Sequence, residues 1–223
     1  MKKFLPLILI GSGIIILLLA VFFVAKGMKS KTSPSTETET KVSVLPESEW
    51  PVVTLAPTNN PQVKGSDGHW LNFKVQKIDV PGATSMDYLL VYSTSDGGQQ
   101  GVPGTVKLTG TEIERKLLLG SESSGKFKYD AGVEEGTMTI TFRDAKGKSI
   151  GKLSTDFHLQ SGTTSLSSVD GKFTYTLDKT ATGVFFVTMP TFLQPEASEY
   201  VVWQNGYGVF ASDGKAHAGK LGQ

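Results

Sequence analysis

Three carboxylates crowd one short segment of the chain: Asp130, Glu134 and Glu135, in Tyr129-Asp130-Ala131-Gly132-Val133-Glu134-Glu135-Gly136. Clustered oxygen ligands on a flexible loop are what calcium takes. The spacing matches no calcium signature and lysines lie nearby, so a solvated acidic loop is the preferred reading. Four aromatics, Trp70, Tyr92, Trp203 and Tyr207, fall near strand ends or turns. There, flat rings can stack on sugars or anchor a protein partner, with core packing as the competing role.

The parts of a catalytic site are not found together. A serine elbow would read Gly-x-Ser-x-Gly, but Gly120-Ser121-Glu122-Ser123-Ser124-Gly125 has the wrong spacing and no helical pattern after it. His69, His158 and His217 stand in separate contexts without paired metal-ligand spacing, and the absence of cysteine excludes thiolate metal sites and disulfides. No phosphate loop or dinucleotide fingerprint is present. We therefore expect no enzymatic activity, no cofactor and no metal. An envelope hydrolase would need Ser123, His158 and a carboxylate to converge.

Whatever these residues do, β-strands must position them. Thr137 to Arg143 puts Met138, Ile140 and Phe142 on one face and threonines on the other, a period of two. Asp144-Ala145-Lys146-Gly147 then turns the chain, and Leu153, Phe157 and Leu159 resume an inward face, which makes a hairpin. Similar runs occur at 71–80, 88–94, 105–108, 113–119, 126–129, 173–177, 184–189, 200–204 and 207–211, most of them separated by glycine turns. Leu71, Phe73 and Val75 share one parity while Ile78 and Val80 share the other, so a bulge or bend is expected near Gln76 and Lys77. Tyr88 to Tyr92 is apolar on both parities and reads as a central strand covered on both faces. The fold class is all-β: an antiparallel sandwich over 51–160, with a C-terminal β-meander over 161–223 packed on it through a connection at 162–168.

The run Glu135-Gly136-Thr137-Met138-Thr139-Ile140-Thr141-Phe142-Arg143-Asp144, followed by Lys146-Gly147-Lys148, resembles the penultimate strand and last turn of bacterial immunoglobulin-like or fibronectin type III-like domains. By layout the resemblance covers about 52–160. It departs from antibody-type domains in lacking the cysteine pair. The resemblance implies a sandwich and an extracellular habit, with no chemistry attached.

Location is written at the other end. Phe4 to Ala25 contains no charged side chain, while Lys2 and Lys3 precede it and Lys26, Lys29 and Lys31 follow. As a helix it would reach about 33 Å, enough to cross a hydrocarbon core of about 30 Å. Bulky Leu18 and Phe23 occupy the positions where an export signal's cleavage site needs small residues before Ala20 or Ala25, so an uncleaved transmembrane signal anchor is expected over 4–25. A pilin-like assembly helix would also fit a β-rich head, but the acidic residue such helices carry has no counterpart here. Residues 1–3 would remain in the cytoplasm and the remainder would be exported, although lysines nearly balance across the segment. Residues 26–50 are rich in Ser, Thr, Pro, Lys and Glu and read as a disordered linker.

From Pro51 onward 16 basic and 17 acidic residues are interspersed, which excludes a nucleic-acid surface. The partners expected are the lipid bilayer, through the N-terminal helix, and an envelope protein or glycan. The alternative is a subunit of a membrane-anchored assembly, pilus-like or secretion-associated, with Gly11 and Gly13 offering a small-residue helix face.

Overall fold

The computed structural model describes residues 43–222. The expected anchor at 4–25 and most of the expected linker lie outside the described residues. The described part is all-β, and its strands pair antiparallel throughout. Apart from one short 3₁₀ turn at Glu47–Glu49, it contains no helix.

One sheet contains β1 (Val52–Thr58), β2 (Trp70–Gln76) and β5 (Ile113–Leu118), in the order β1-β2-β5. Facing it is a sheet of seven strands. Its members are β3 (Ser85–Ser93), β4 (Gln99–Lys107), β8 (Glu135–Arg143), β9 (Ser149–Ser161), β12 (Phe185–Pro190), β13 (Val202–Gln204) and β14 (Tyr207–Ala211). They run in the order β13-β14-β12-β9-β8-β3-β4. A small hairpin, β6 (Gly120–Ser123) with β7 (Lys126–Tyr129), leads from the first sheet into β8.

Period-two patterning explains the join between the two sheets. Leu71, Phe73 and Val75 of β2 face Met86 and Leu90 of β3, Met138, Ile140 and Phe142 of β8, and Leu153 and Phe157 of β9 in one apolar core. At about 25 cal/mol per Å² of apolar surface removed from water, this shared core is the main source of stability. The parity break at Gln76–Lys77 is a bend: Lys77 takes φ +55°, β2 stops, and Ile78 and Val80 return to the core on the opposite parity.

The C-terminal strands depart from a meander. β12 pairs with β9 and so continues the same sheet; β14 then inserts between β12 and β13. The remaining strands, β10 (Ser165–Ser167), β11 (Thr174–Leu177) and β15 (Gly219–Leu221), form a third sheet around a second core. Phe186 and Val209 face this second core, while their neighbours Val187 and Phe210 face the first. β12 and β14 are therefore buried on both faces.

Tyr88–Tyr92 differs from expectation for the same reason. β3 is flanked on both edges, yet only Met86, Leu90 and Tyr92 on its even face are buried among these positions; Leu89, opposite Thr139, is 41% exposed. The third layer covers the other half of the large sheet. Two loop assignments also change. The expected connection at 162–168 contains β10, and the last part of the expected linker belongs to the fold. Leu45 is buried above Gly151, where any β-carbon would collide with it, and Trp50 packs edge-on against Phe192 while donating its indole N–H to the Leu45 carbonyl at 2.9 Å.

Candidate functional site

A cleft of about 440 Å³ opens where the β7–β8 loop meets the end of β9. Asp130, Gly132, Val133 and Glu134 come from that loop, His158 to Ser161 from β9, Gly68 and His69 from the approach to β2, and Phe185 from the start of β12. Backbone bonds hold the loop from both sides. The Leu159 amide donates to the Glu134 carbonyl at 2.6 Å, the Asp130 amide to Leu119, and the Ser95 amide to Ala131. Gly132, at φ +65°, lets the chain pass Ser95; a β-carbon there would lie 2.6 Å from the serine side chain.

Tyr92 anchors Asp130. Its ring is 1% exposed, and its hydroxyl donates to Asp130 Oδ2 at 2.9 Å. Burial first, then the neighbouring Asp130 carboxylate, push the Tyr92 phenol well above its usual range, so it stays protonated and able to donate. His69 stacks on Tyr129 with centroids 4.5 Å apart and planes 10° from parallel. Burial lowers its pKa despite the opposing pull of Asp130 and Asp67, which favours the neutral imidazole. His158 donates from Nδ1 to the Ser167 carbonyl at 2.8 Å, as the carbonyl can only accept.

The predicted site residues do not gather here as a set. Asp130 and Glu134 share the cleft. Glu135 instead lines a smaller depression of about 230 Å³ with Val91, Gln99, Asp156 and Val169. Among the described residues, no group of three or more His, Cys, Asp or Glu side chains is arranged to hold a metal ion. The three carboxylates are separated because β8 begins at Glu135 and pairs that residue with His158, turning it away from the loop.

The aromatic set is also dispersed. Tyr92 is a core residue. Trp70, half-buried, meets Phe127 edge-on at 5.7 Å. Trp203 donates its indole N–H to Thr191 Oγ1 at 3.0 Å. Tyr207 stacks on Phe173 at 5.6 Å and donates to Asp170 Oδ2 at 2.6 Å, tying β14 to the β10–β11 turn. The Ser168 and Tyr207 hydroxyls hold the Asp170 carboxyl down at about 2, and burial with Asp170 raises the Tyr207 phenol to about 12. Each of these four rings makes contacts within the fold, and none of them lines the cleft.

Nor do Ser123 and His158 converge. Ser123 pairs with Lys126 in the β6–β7 hairpin, while the hydrogen-bond partner of His158 is Ser167. What sequence reasoning missed is the grouping of Gly68, His69, His158 and Phe185 around the acidic loop. No local pattern marks it, because those residues meet only through tertiary packing.

No known protein family, curated protein or solved structure matches this chain.

Proposed function

We propose that the chain is a single-pass, membrane-anchored envelope protein that displays an immunoglobulin-like or fibronectin type III-like sandwich for binding a partner outside the cytoplasmic membrane. Strand order is the observation that carries the fold half of this reading. An immunoglobulin constant-type sandwich sets its first, second, fourth and fifth strands in one sheet and its third, sixth and seventh in the other; this chain departs from it at β4, which pairs with β3 in the second sheet. Here β1, β2 and β5 share one sheet; with the β6–β7 hairpin counted as an insertion, β3, β8 and β9 take the third, sixth and seventh places in the other. β12, β14 and β13 extend that second sheet beyond its last standard strand.

The apolar run Phe4 to Ala25 supports the anchor. The loop-built cleft supports binding, since loops at the end of a rigid sandwich are where such scaffolds place their contacts. Near-neutral charge supports an envelope protein or glycan as partner, and not nucleic acid.

Deleting residues 4–25 tests the tether. The full chain should stay in the membrane pellet after an alkaline carbonate wash, and the deletion variant should move to the supernatant. A full chain released by carbonate would overturn the anchor.

A further inference from the structure

β9 is paired along only part of its second edge. On one side β8 runs beside it from Ser149 to His158; on the other, β12 joins only over His158 to Ser161. Between Ser149 and Phe157 no strand meets that second edge, and residues 43–45 fill part of it. Lys152 gives both its backbone groups to them: its amide donates to the Ser43 carbonyl at 3.1 Å, and its carbonyl accepts the Leu45 amide at 3.2 Å. Val44 lies opposite Lys152 in parallel register, in a fold whose strands otherwise pair antiparallel.

More than those two bonds holds the segment. The Leu45 side chain is buried and occupies the space above Gly151 that a β-carbon would take. Its carbonyl accepts the Trp50 indole N–H, and the Glu49 amide closes a turn on Pro46, so the chain that follows is fastened at the same place. Direction then matters for load. Because residues 43–45 run the same way as β9, a pull on the chain upstream of Ser43 that is resisted at the far end of β9 acts lengthwise along the pair. Both backbone bonds lie across such a pull and are strained together, whereas a pull that turned the segment back would break them one after the other. The far end of β9, His158 to Ser161, lines the cleft. At about 3.3 Å per residue, Ser161 stands about 30 Å from Lys152 along the strand.

We propose that residues 43–45 are a tension-bearing latch, which carries load from the chain upstream of Ser43 into β9 and holds most firmly when the pull runs along that strand. Leu153, Phe157 and Leu159 seat β9 in the core, so the load enters a strand that is itself held. The proposal rests on the tethered-display reading, in which tension arises between the anchor and a partner at the loop end of the sandwich.

Optical-tweezers pulling of the full chain in detergent micelles tests the direction. The chain has no cysteine, so two introduced thiols define the handles. Ser35→Cys with Ser161→Cys pulls along β9. Ser35→Cys with Lys146→Cys, in the β8–β9 turn, instead folds residues 43–45 back and peels them. The first pair should rupture at a force about twofold higher than the second, because forced opening is governed by the barrier met along the pull. Leu45→Ala should lower the force in the first pair while the circular dichroism spectrum stays that of the parent; the directional comparison itself needs no core substitution. Equal forces in the two directions, or an unchanged force in Leu45→Ala, would overturn the latch. The two readings fail separately: a chain released by carbonate that still resists along β9 would refute the membrane tether alone, and a chain held in the membrane with equal forces in both directions would refute the latch alone.

Discussion

Phe157→Ala should destabilise the domain by about 3–5 kcal/mol, the usual cost of removing a buried phenylalanine from a closed core. Phe157 is 0% exposed and stands mid-strand in β9, with its ring in the core shared by the two large sheets. Directly opposite it is Gly136, which has no side chain to move into the vacated space. The cavity would persist, so the transfer loss and the cavity cost should both appear. Guanidinium unfolding checks this: the midpoint should fall while the slope stays unchanged, because the surface exposed on unfolding is the same. A loss below about 1 kcal/mol would mean that the sheets do not close over this ring.

Gly136→Ala comes next in size, at about 2–3 kcal/mol, through overpacking. A β-carbon there would lie 2.7 Å from Phe157 Cε1 and 2.3 Å from the Val91 carbonyl oxygen. Those two obstacles differ in kind. The ring can swing, whereas the carbonyl belongs to β3, whose ladder with β8 pairs Tyr92 with Gly136. Most of the cost should therefore remain when Gly136→Ala is placed in the Phe157→Ala background. If the substitution becomes neutral there, the ring was the only obstacle and the β3–β8 register is looser than described.

The same residues show why part of the fold was legible in sequence and part was not. β8 and β9 could be read because one face of each is buried and the other wet, so Met138, Ile140 and Phe142 alternate cleanly with threonines. Gly101, Pro103 and Gly104 obscured the first part of β4, where an edge position tolerates residues that a central strand would not. β12 and β14 lose alternation because both their faces are covered, and periodicity alone cannot say by what. Tyr88–Tyr92 has the same two-sided composition without a second layer over it. Tyr92 was legible in retrospect: it shares parity with Met86 and Leu90, which places its ring in the core.

The cleft is the least legible feature. Asp130 and Glu134 stood out as a loop, but Gly68 and Phe185 are far apart in the chain, and their contact depends on a β-carbon that glycine lacks. The N-terminal boundary failed for a similar reason. Leu45 lies within the segment that reads as a linker from its composition, and its burial depends on the empty space above Gly151.

Display of the sandwich on the outer side of a membrane can be read from a single labelling experiment. Lys146, in the β8–β9 turn, is exposed, and only its backbone amide is engaged, with Asp144 Oδ1 at 2.9 Å. Lys146→Cys therefore adds a single reactive thiol to a chain with no cysteine and leaves the turn intact. Intact bacteria producing this variant should be labelled by a membrane-impermeant maleimide before lysis. Labelling only after lysis would contradict display and place the sandwich on the cytoplasmic side.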